Sequence, residues 1–236
     1  MLPPAPSTSD PNDVALANRP IALVTAGPTE EPIDDVRFLG NRSSGRMGLA
    51  IAVALADLGW RVRLAVGPIR VATPSHRHIE VVPFRTSRDL ETLLRAELPQ
   101  AELVVMAAAV ADYRPITVST GKMRRTADGL TLALEGVPDL LATTRDARRA
   151  GSRVFGFALE PAERLRTSAL EKLERKDLAG IVANPLETMD APNIDGTLFL
   201  RDGRVLSPGM RLLKDAFARW LAQQLTRQDA QQLTSN

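Results

Sequence analysis

The chain has 236 residues, 44% hydrophobic and 25% charged, enough to bury a sizeable core in one large α/β domain or two small ones. A net charge of only +2, with one Tyr and two Trp, argues against a nucleic-acid partner, which calls for a basic surface and stacking aromatics. With no Cys, the chain excludes disulfides, a thiol nucleophile, an iron–sulfur cluster and a Cys-ligated zinc.

The first 18 residues are rich in Pro, Ser, Asp and Asn and lack a basic segment followed by an apolar one. They read as a disordered tail, not a signal peptide. A single domain is expected over 19–226, with a frayed tail at 227–236. No apolar run reaches the ~18 residues that a membrane span needs, so the expected compartment is the cytoplasm. Ile21–Thr25 reads as the first strand, and Arg46–Leu58 as a buried small-residue helix stopped by Gly59. Arg61–Val66 and Ile79–Val82 are further strands. Ser87 is the expected N-cap of a helix to Leu98, with Leu90, Leu93, Leu94 and Leu98 on one face. Glu102–Ala109 is a continuous apolar strand, as in the middle of a parallel sheet.

Asp128-Gly129 predicts a hairpin between Lys122–Thr126 and Leu130–Leu134. Pro138 opens a helix to about Arg149, closed by Gly151. Arg153–Ala158 is a strand, Pro161–Lys176 a charged amphipathic helix and Gly180–Ala183 a short strand. A second hairpin, Thr197–Leu200 with Val205–Leu206, turns at Asp202-Gly203 and is a candidate dimer arm. Arg211–Leu225 is the last helix. Repeated β-α-β units imply an α/β fold: a Rossmann-like, doubly wound, mainly parallel sheet with helices on both faces and added β-hairpins. Ligands of such sheets bind beyond the carboxyl ends of the strands, which points to 25–48, 107–122 and 156–160.

The most telling segment is Gly40-Asn41-Arg42-Ser43-Ser44-Gly45-Arg46-Met47-Gly48. A Ser/Gly turn opening a helix presents free N–H groups and the positive end of the helix dipole, an anion site. It is no P-loop, since Arg46 and Met47 follow Gly45 where Lys and Ser or Thr are required. The dinucleotide G-x-G-x-x-G is also absent, and Leu64-Ala65-Val66-Gly67 ends the second strand without an acid for a ribose. The competing reading is a loop whose glycines only allow tight packing.

In Ala107-Ala108-Ala109-Val110-Ala111-Asp112, small residues let a flat ring approach the backbone, and Asp112 can accept from an exocyclic amine. A packed sheet end with a turn-forming Asp is the alternative. Lys122-Met123-Arg124-Arg125 reads either as a charged strand edge or as cations against phosphate. Lys172 and Lys176 share a helix face, solvated or phosphate-bound. Asn41 can donate to a carbonyl, and Arg37 can clamp a carboxylate or phosphate. His76 and His78 read as a solvated loop, neither a metal site nor part of a Ser-His-Asp set.

Together these motifs are recognisable. Thr25-Ala26-Gly27-Pro28-Thr29, Val36-Arg37, Asn41-Arg42-Ser43-Ser44-Gly45 with Met47-Gly48, Ala108 to Arg114, Lys122 to Arg125, Gly156-Phe157-Ala158 and Lys172-x3-Lys176 resemble, in order, the phosphopantothenate–cysteine ligase family. The resemblance implies a step of coenzyme A biosynthesis. A nucleoside triphosphate, CTP or else ATP, with Mg²⁺, activates the carboxylate of 4′-phosphopantothenate as an acyl-nucleotidylate, which the amine of cysteine then attacks. It also implies a homodimer, and a stand-alone ligase without the flavin decarboxylase domain.

By the same resemblance Asn41 covers the intermediate, Lys122 serves its formation, and Arg37 and Ala109 contact phosphopantothenate. Gly27, Ser43, Ser44, Gly45, Met106, Ala107, Ala108, Asp112, Pro138, Asp139, Leu140, Leu141, Phe157, Lys172 and Lys176, with Lys122, contact the nucleotide. No metal ligand is assigned. Val137 and Pro185 stand where the family has Asn and Asp. The competing functions are a nicotinamide-dependent oxidoreductase on a similar sheet and a non-catalytic nucleotide-binding relative.

Overall fold

The computed structural model describes residues 18–125, 129–188 and 191–232, with side chains to residue 227. Nearly all of the expected N-terminal tail, and the Asp128 turn, lie outside the described residues.

Eight strands form one sheet. In chain order its members are β1 (Ile21–Ala26), β4 (Arg61–Val66), β5 (Ile79–Pro83), β6 (Leu103–Met106), β9 (Arg153–Glu160), β10 (Gly180–Pro185), β12 (Thr197–Leu200) and β13 (Val205–Leu206). Their spatial order is β13-β12-β10-β9-β6-β1-β4-β5. The pairs from β5 to β10 are parallel, with Val24 opposite Leu64 on one side and Val105 on the other. The hairpin β12–β13 adds on antiparallel. Chain order reverses between β1 and β6, so the crevice of a doubly wound sheet opens beyond the ends of these two strands. Three small pairs lie outside: β2 (Glu30–Pro32) with β3 (Phe38–Gly40), β7 (Tyr113–Pro115) with β8 (Leu134–Gly136), and β11 (Asn193–Ile194) with β14 (Leu212–Leu213).

Helices cover both faces. On one, α1 (Arg46–Asp57) and α5 (Lys214–Gln232) enclose a core with Val24, Leu64, Val105 and Phe217. On the other, α2 (Ser87–Glu97), the single turn α3 (Leu140–Thr143) and α4 (Leu165–Arg175) pack on Leu23, Val104, Val154 and Ile181. Gly59 ends α1 in the left-handed conformation at φ 92°, and its N–H and that of Trp60 return to Ala56 and Leu55.

Several boundaries differ from the sequence expectation. The N-cap of α2 is Thr86, one residue before Ser87. Thr86 and Asp89 satisfy each other's backbone N–H in a capping box, which outbids Ser87. The Glu102–Ala109 strand ends at Met106, because Ala107–Ala109 turn to pair with the Gly27–Thr29 loop. The hairpin expected over Lys122–Leu134 is wider. Residues 122–125 form no strand, and Tyr113–Pro115 is the partner of Leu134–Gly136. The Pro138–Arg149 helix is only α3 plus a 3₁₀ turn at Arg145–Ala147, with Asp139 rather than Pro138 at the boundary as N-cap. The Pro161–Lys176 helix starts as a 3₁₀ turn, Ala162–Arg164. The last helix starts at Lys214, since Leu212–Leu213 pairs with β11, and runs past Leu225 to Gln232. His78 is buried, not solvated, with Nδ1 3.3 Å from the Ala56 carbonyl oxygen.

Gly48 sets how closely α1 rests on β1. A methyl group there would lie 2.6 Å from the Ala26 Cβ and 2.7 Å from the Thr25 carbonyl oxygen. Gly48→Ala is expected to cost roughly 1–3 kcal/mol of stability by overpacking, read from urea denaturation midpoints.

A basic cleft at the carboxyl ends of the sheet

A cleft of about 920 Å³ opens beyond β1, β6, β9 and β10. Its first wall is the loop into α1. Gly45, at φ 72°, occupies the N-cap without any side-chain cap, and its own N–H is 3.3 Å from the Ser43 hydroxyl. A side chain at Gly45 would strike Ile69 and the Gly27 backbone, so the tight turn requires glycine. The first-turn N–H groups of α1 therefore face the cleft with the helix dipole behind them. The loop thus combines the tight packing its glycines allow with first-turn amides that face the cleft.

The second wall is Met106–Asp112. It is fixed from beneath: Ala109 N–H donates to Gly27, Thr29 N–H to Ala109, and the Thr25 and Thr29 hydroxyls accept from Ala108 and Ala111 N–H, each within 3.2 Å. Asn41 bridges the two walls, its amide donating to the Val110 carbonyl at 2.8 Å.

The third wall is Val137–Leu141 with α4. Lys172 and Lys176 both face the cleft, and each is held by an acid. Lys172 Nζ lies 2.5 Å from Glu160 and Lys176 Nζ 3.0 Å from Asp139. The hydrogen bond from Lys172, with a second from Ser168, outweighs burial and holds the Glu160 carboxyl below its ordinary range. Its folded pKa is the lower one, so the stability this pair contributes is fully present above the ordinary glutamate range and is lost as pH falls through the lowered folded value. Phe157 and Leu159, at the end of β9, form the floor.

Of the residues singled out from sequence, Asn41, Ser43, Ser44, Gly45, Met106, Ala107, Ala108, Ala109, Asp112, Pro138, Asp139, Leu140, Leu141, Phe157, Lys172 and Lys176 line this one cleft. Gly27 does not; it is buried beneath the loop. Sequence reasoning missed Arg42, Arg46, Arg175, Asn184, Thr188 and Lys214, which also line it. Asn184 donates to the Thr188 hydroxyl, which donates in turn to Pro185. The basic groups Arg42, Arg46, Lys172, Arg175, Lys176 and Lys214 outnumber Asp112 and Asp139, so the field favours a polyanion. Among the described residues no group of three potential metal ligands occurs.

Arg37 and Lys122 lie outside the cleft, yet their loops are joined. The Arg37 guanidinium is 2.6 Å from the buried Asp34 carboxylate and reaches the Met123 carbonyl at 3.4 Å. Asp34 also accepts from the N–H groups of Val36, Arg37 and Met123, and Asp35 accepts from Gly121. Burial alone would raise the Asp34 carboxyl; these N–H groups and Arg37 overturn that and hold it below its ordinary range. Lys122 itself is exposed.

The family of the DNA/pantothenate metabolism flavoprotein C-terminal domain matches residues 17–228. The chain is 36% identical over 193 residues to the coenzyme A biosynthesis bifunctional protein CoaBC of Escherichia coli (strain K12), spanning 79% of this chain and 47% of that protein. It is 38% identical over 165 residues to a cysteine/cysteine sulfinic acid decarboxylase of an unknown prokaryotic organism, spanning 70% and 45%. The chain thus spans about half the length of the curated relatives it matches. The solved C-terminal domain of CoaBC superimposes with a TM-score of 0.73 at 33% identity, covering 87% of this chain and 93% of that one. A Cab2 mutant in complex with phosphopantothenate-cysteine shares the fold at 18% identity, with a TM-score of 0.72 over 93% and 91% of the two chains.

Asp34→Asn removes the charge that ties Met123 down. Trypsin is expected to cut after Lys122, Arg124 and Arg125 severalfold faster in the variant, with cutting elsewhere unchanged, as peptide mapping would show.

Proposed function

We infer that this chain, which belongs to the DNA/pantothenate metabolism flavoprotein C-terminal domain family, is a phosphopantothenate–cysteine ligase acting in coenzyme A biosynthesis. The observation that carries this reading is the convergence of three features on one cleft: the uncapped start of α1, the small-residue end of β6 and the lysine pair of α4. A nucleotide fits that set. The triphosphate suits the N–H groups of α1 and the lysines, and the base suits the flat Ala107–Ala109 backbone beside Asp112 and Phe157.

In this reading a carboxylate oxygen of 4′-phosphopantothenate attacks the α-phosphorus and pyrophosphate leaves. The amine of cysteine then attacks the acyl carbon, losing a proton as the nucleoside monophosphate departs. Bringing a carboxylate to a phosphate sets like charges together, and Lys172 and Lys176 offset that repulsion. Asn41, which already spans the cleft to Val110, is suited to cover the anhydride and keep water out. Lys122 and Arg37 serve activation and the acid substrate from their joined loops, so those loops shift toward the cleft or meet it from a neighbouring subunit.

CTP is the favoured nucleotide, with ATP the alternative. Mg²⁺ accompanies it and neutralises phosphate charge when bound. Asp112 and Asp139 are the carboxylates in the cleft, and Asp139 is already engaged by Lys176 and Leu141 N–H. An ion that keeps its waters and rests mainly on substrate phosphates suits so sparse a donor set.

The active form in this reading is a homodimer. The Thr197–Leu206 hairpin is not a free arm: it completes the sheet, with Leu198, Phe199 and Leu200 in the core. Val36, Phe38, Tyr113, Ile116, Val118 and Leu134 are instead exposed on the adjoining hairpins β2–β3 and β7–β8, and they suit a second copy of the chain.

The decisive assay is pyrophosphate release with phosphopantothenate and each nucleotide in turn, with and without cysteine. Release with CTP or ATP is expected, and its absence with both sinks the ligase. Lys122→Gln is expected to abolish formation of the acyl-nucleotidylate, whereas Asn41→Asp forms it and then stalls, as rapid-quench single turnovers would separate. Sedimentation at micromolar concentration is expected to find a dimer for the wild type and a monomer for Phe38→Asp/Ile116→Asp.

A further inference from the structure

Arg148 follows the 3₁₀ turn Arg145–Ala147 and lies behind the lysine wall, out of the cleft. Its guanidinium donates to three backbone carbonyls: Leu141 at 2.7 Å, Asp177 at 3.2 Å and Lys176 at 3.4 Å. These carbonyls belong to two separate elements. Leu141 is in α3. Lys176 is the C-cap of α4, and Asp177 follows it in the left-handed conformation at φ 52°, the one such non-glycine residue among those described. The N–H groups of Asp177 and Leu178 return to Glu174 and Leu173, which turns the next carbonyls outward, toward Arg148.

On the cleft side the same two elements are joined a second time. Asp139 caps α3 through the Leu141 N–H at 3.1 Å and pairs with Lys176 at 3.0 Å. The two ties differ in kind. A phosphate drawn to Lys176 competes directly with Asp139, so the front tie weakens as a polyanion enters. The rear tie runs to peptide carbonyls, which no anion can replace.

We propose that Arg148 is a positioning residue for the nucleotide: its three-carbonyl brace holds α3 and the end of α4 at fixed spacing when Lys176 exchanges Asp139 for phosphate. The proposal rests on the nucleotide-binding reading of the cleft. Arg148 touches no substrate in it; it acts through Lys176.

The test is a double-mutant cycle on nucleotide binding, with CTP and ATP each titrated by calorimetry. Arg148→Met is expected to raise the dissociation constant about tenfold, and Arg148→Lys, which keeps a charge and donors for the carbonyls, to raise it only about threefold. In a Lys176→Met background the further effect of Arg148→Met falls below about twofold, because the brace then has nothing to place. Arg95→Met is the control. Arg95 donates to the Thr143 carbonyl of α3 but does not reach α4, so nucleotide binding stays within about twofold of wild type. Equal effects of Arg148→Met in both backgrounds, or an equal loss in Arg95→Met, would mean general destabilisation and overturn the proposal.

Hydrogen exchange of the ligand-free protein gives a second readout. Arg148→Met should speed exchange in peptides covering 139–149 and 173–181 together, and unchanged exchange there overturns the brace. A wild-type protein that binds neither nucleotide but shows this paired change retains the brace and loses the function assigned to the cleft.

Discussion

The whole arrangement depends on leaving the amino end of α1 open. A helix start ordinarily recruits a side chain to satisfy its first amides, as Thr86 does for α2. At α1 the N-cap is a glycine in a left-handed turn, which can offer no such group. Two close approaches hold this bare end where it is: Gly45 against Gly27 and Ile69, and Gly48 against β1. Both contacts spend conformational freedom and room for side chains on placing unsatisfied donors at the mouth of the sheet. Such unsatisfied donors are costly in a folded chain unless something fills the space in front of them.

Charge in the cleft is managed so that the ligand-free protein tolerates it. Lys172 and Lys176 would repel each other and their basic neighbours if left alone. Glu160 and Asp139 hold them in place, and neither acid is deeply buried, so an incoming anion can replace it at modest cost. The same economy applies away from the cleft, where one buried carboxylate, Asp34, collects three backbone amides and a guanidinium and fastens two loops at once.

Much of this was legible in the sequence. Periodicity and glycine punctuation gave the parallel strands, α1 with its Gly59 stop, and the segments at the strand ends, and sixteen of the nineteen residues singled out meet in one cleft. What was not legible has physical causes. Ser87 and Thr86 are both good caps, and only the Asp89 side chain decides between them. Asp128-Gly129 is a strong turn signal, but it does not say which flanking residues pair, and here the partners lie well outside it. Arg37 and Lys122 carry chemistry suited to the site, yet Asp34 is what determines where they sit, and an Asp two or three residues away in a loop looks like any turn former. Asn184, Thr188 and Lys214 reach the cleft only because β10 and α5 pack beside it, a juxtaposition with no local pattern.

The two outer strands of the large sheet end its hydrogen-bonding ladder abruptly. β13 has two residues, beside a turn in which Asp202 binds Arg204, and β5 closes on Pro83 with Glu80 turned to Arg61 and Arg63. Short length, a missing amide and charge are the features that make a strand a poor template for recruiting another chain. Strand-by-strand growth from either rim is thereby discouraged.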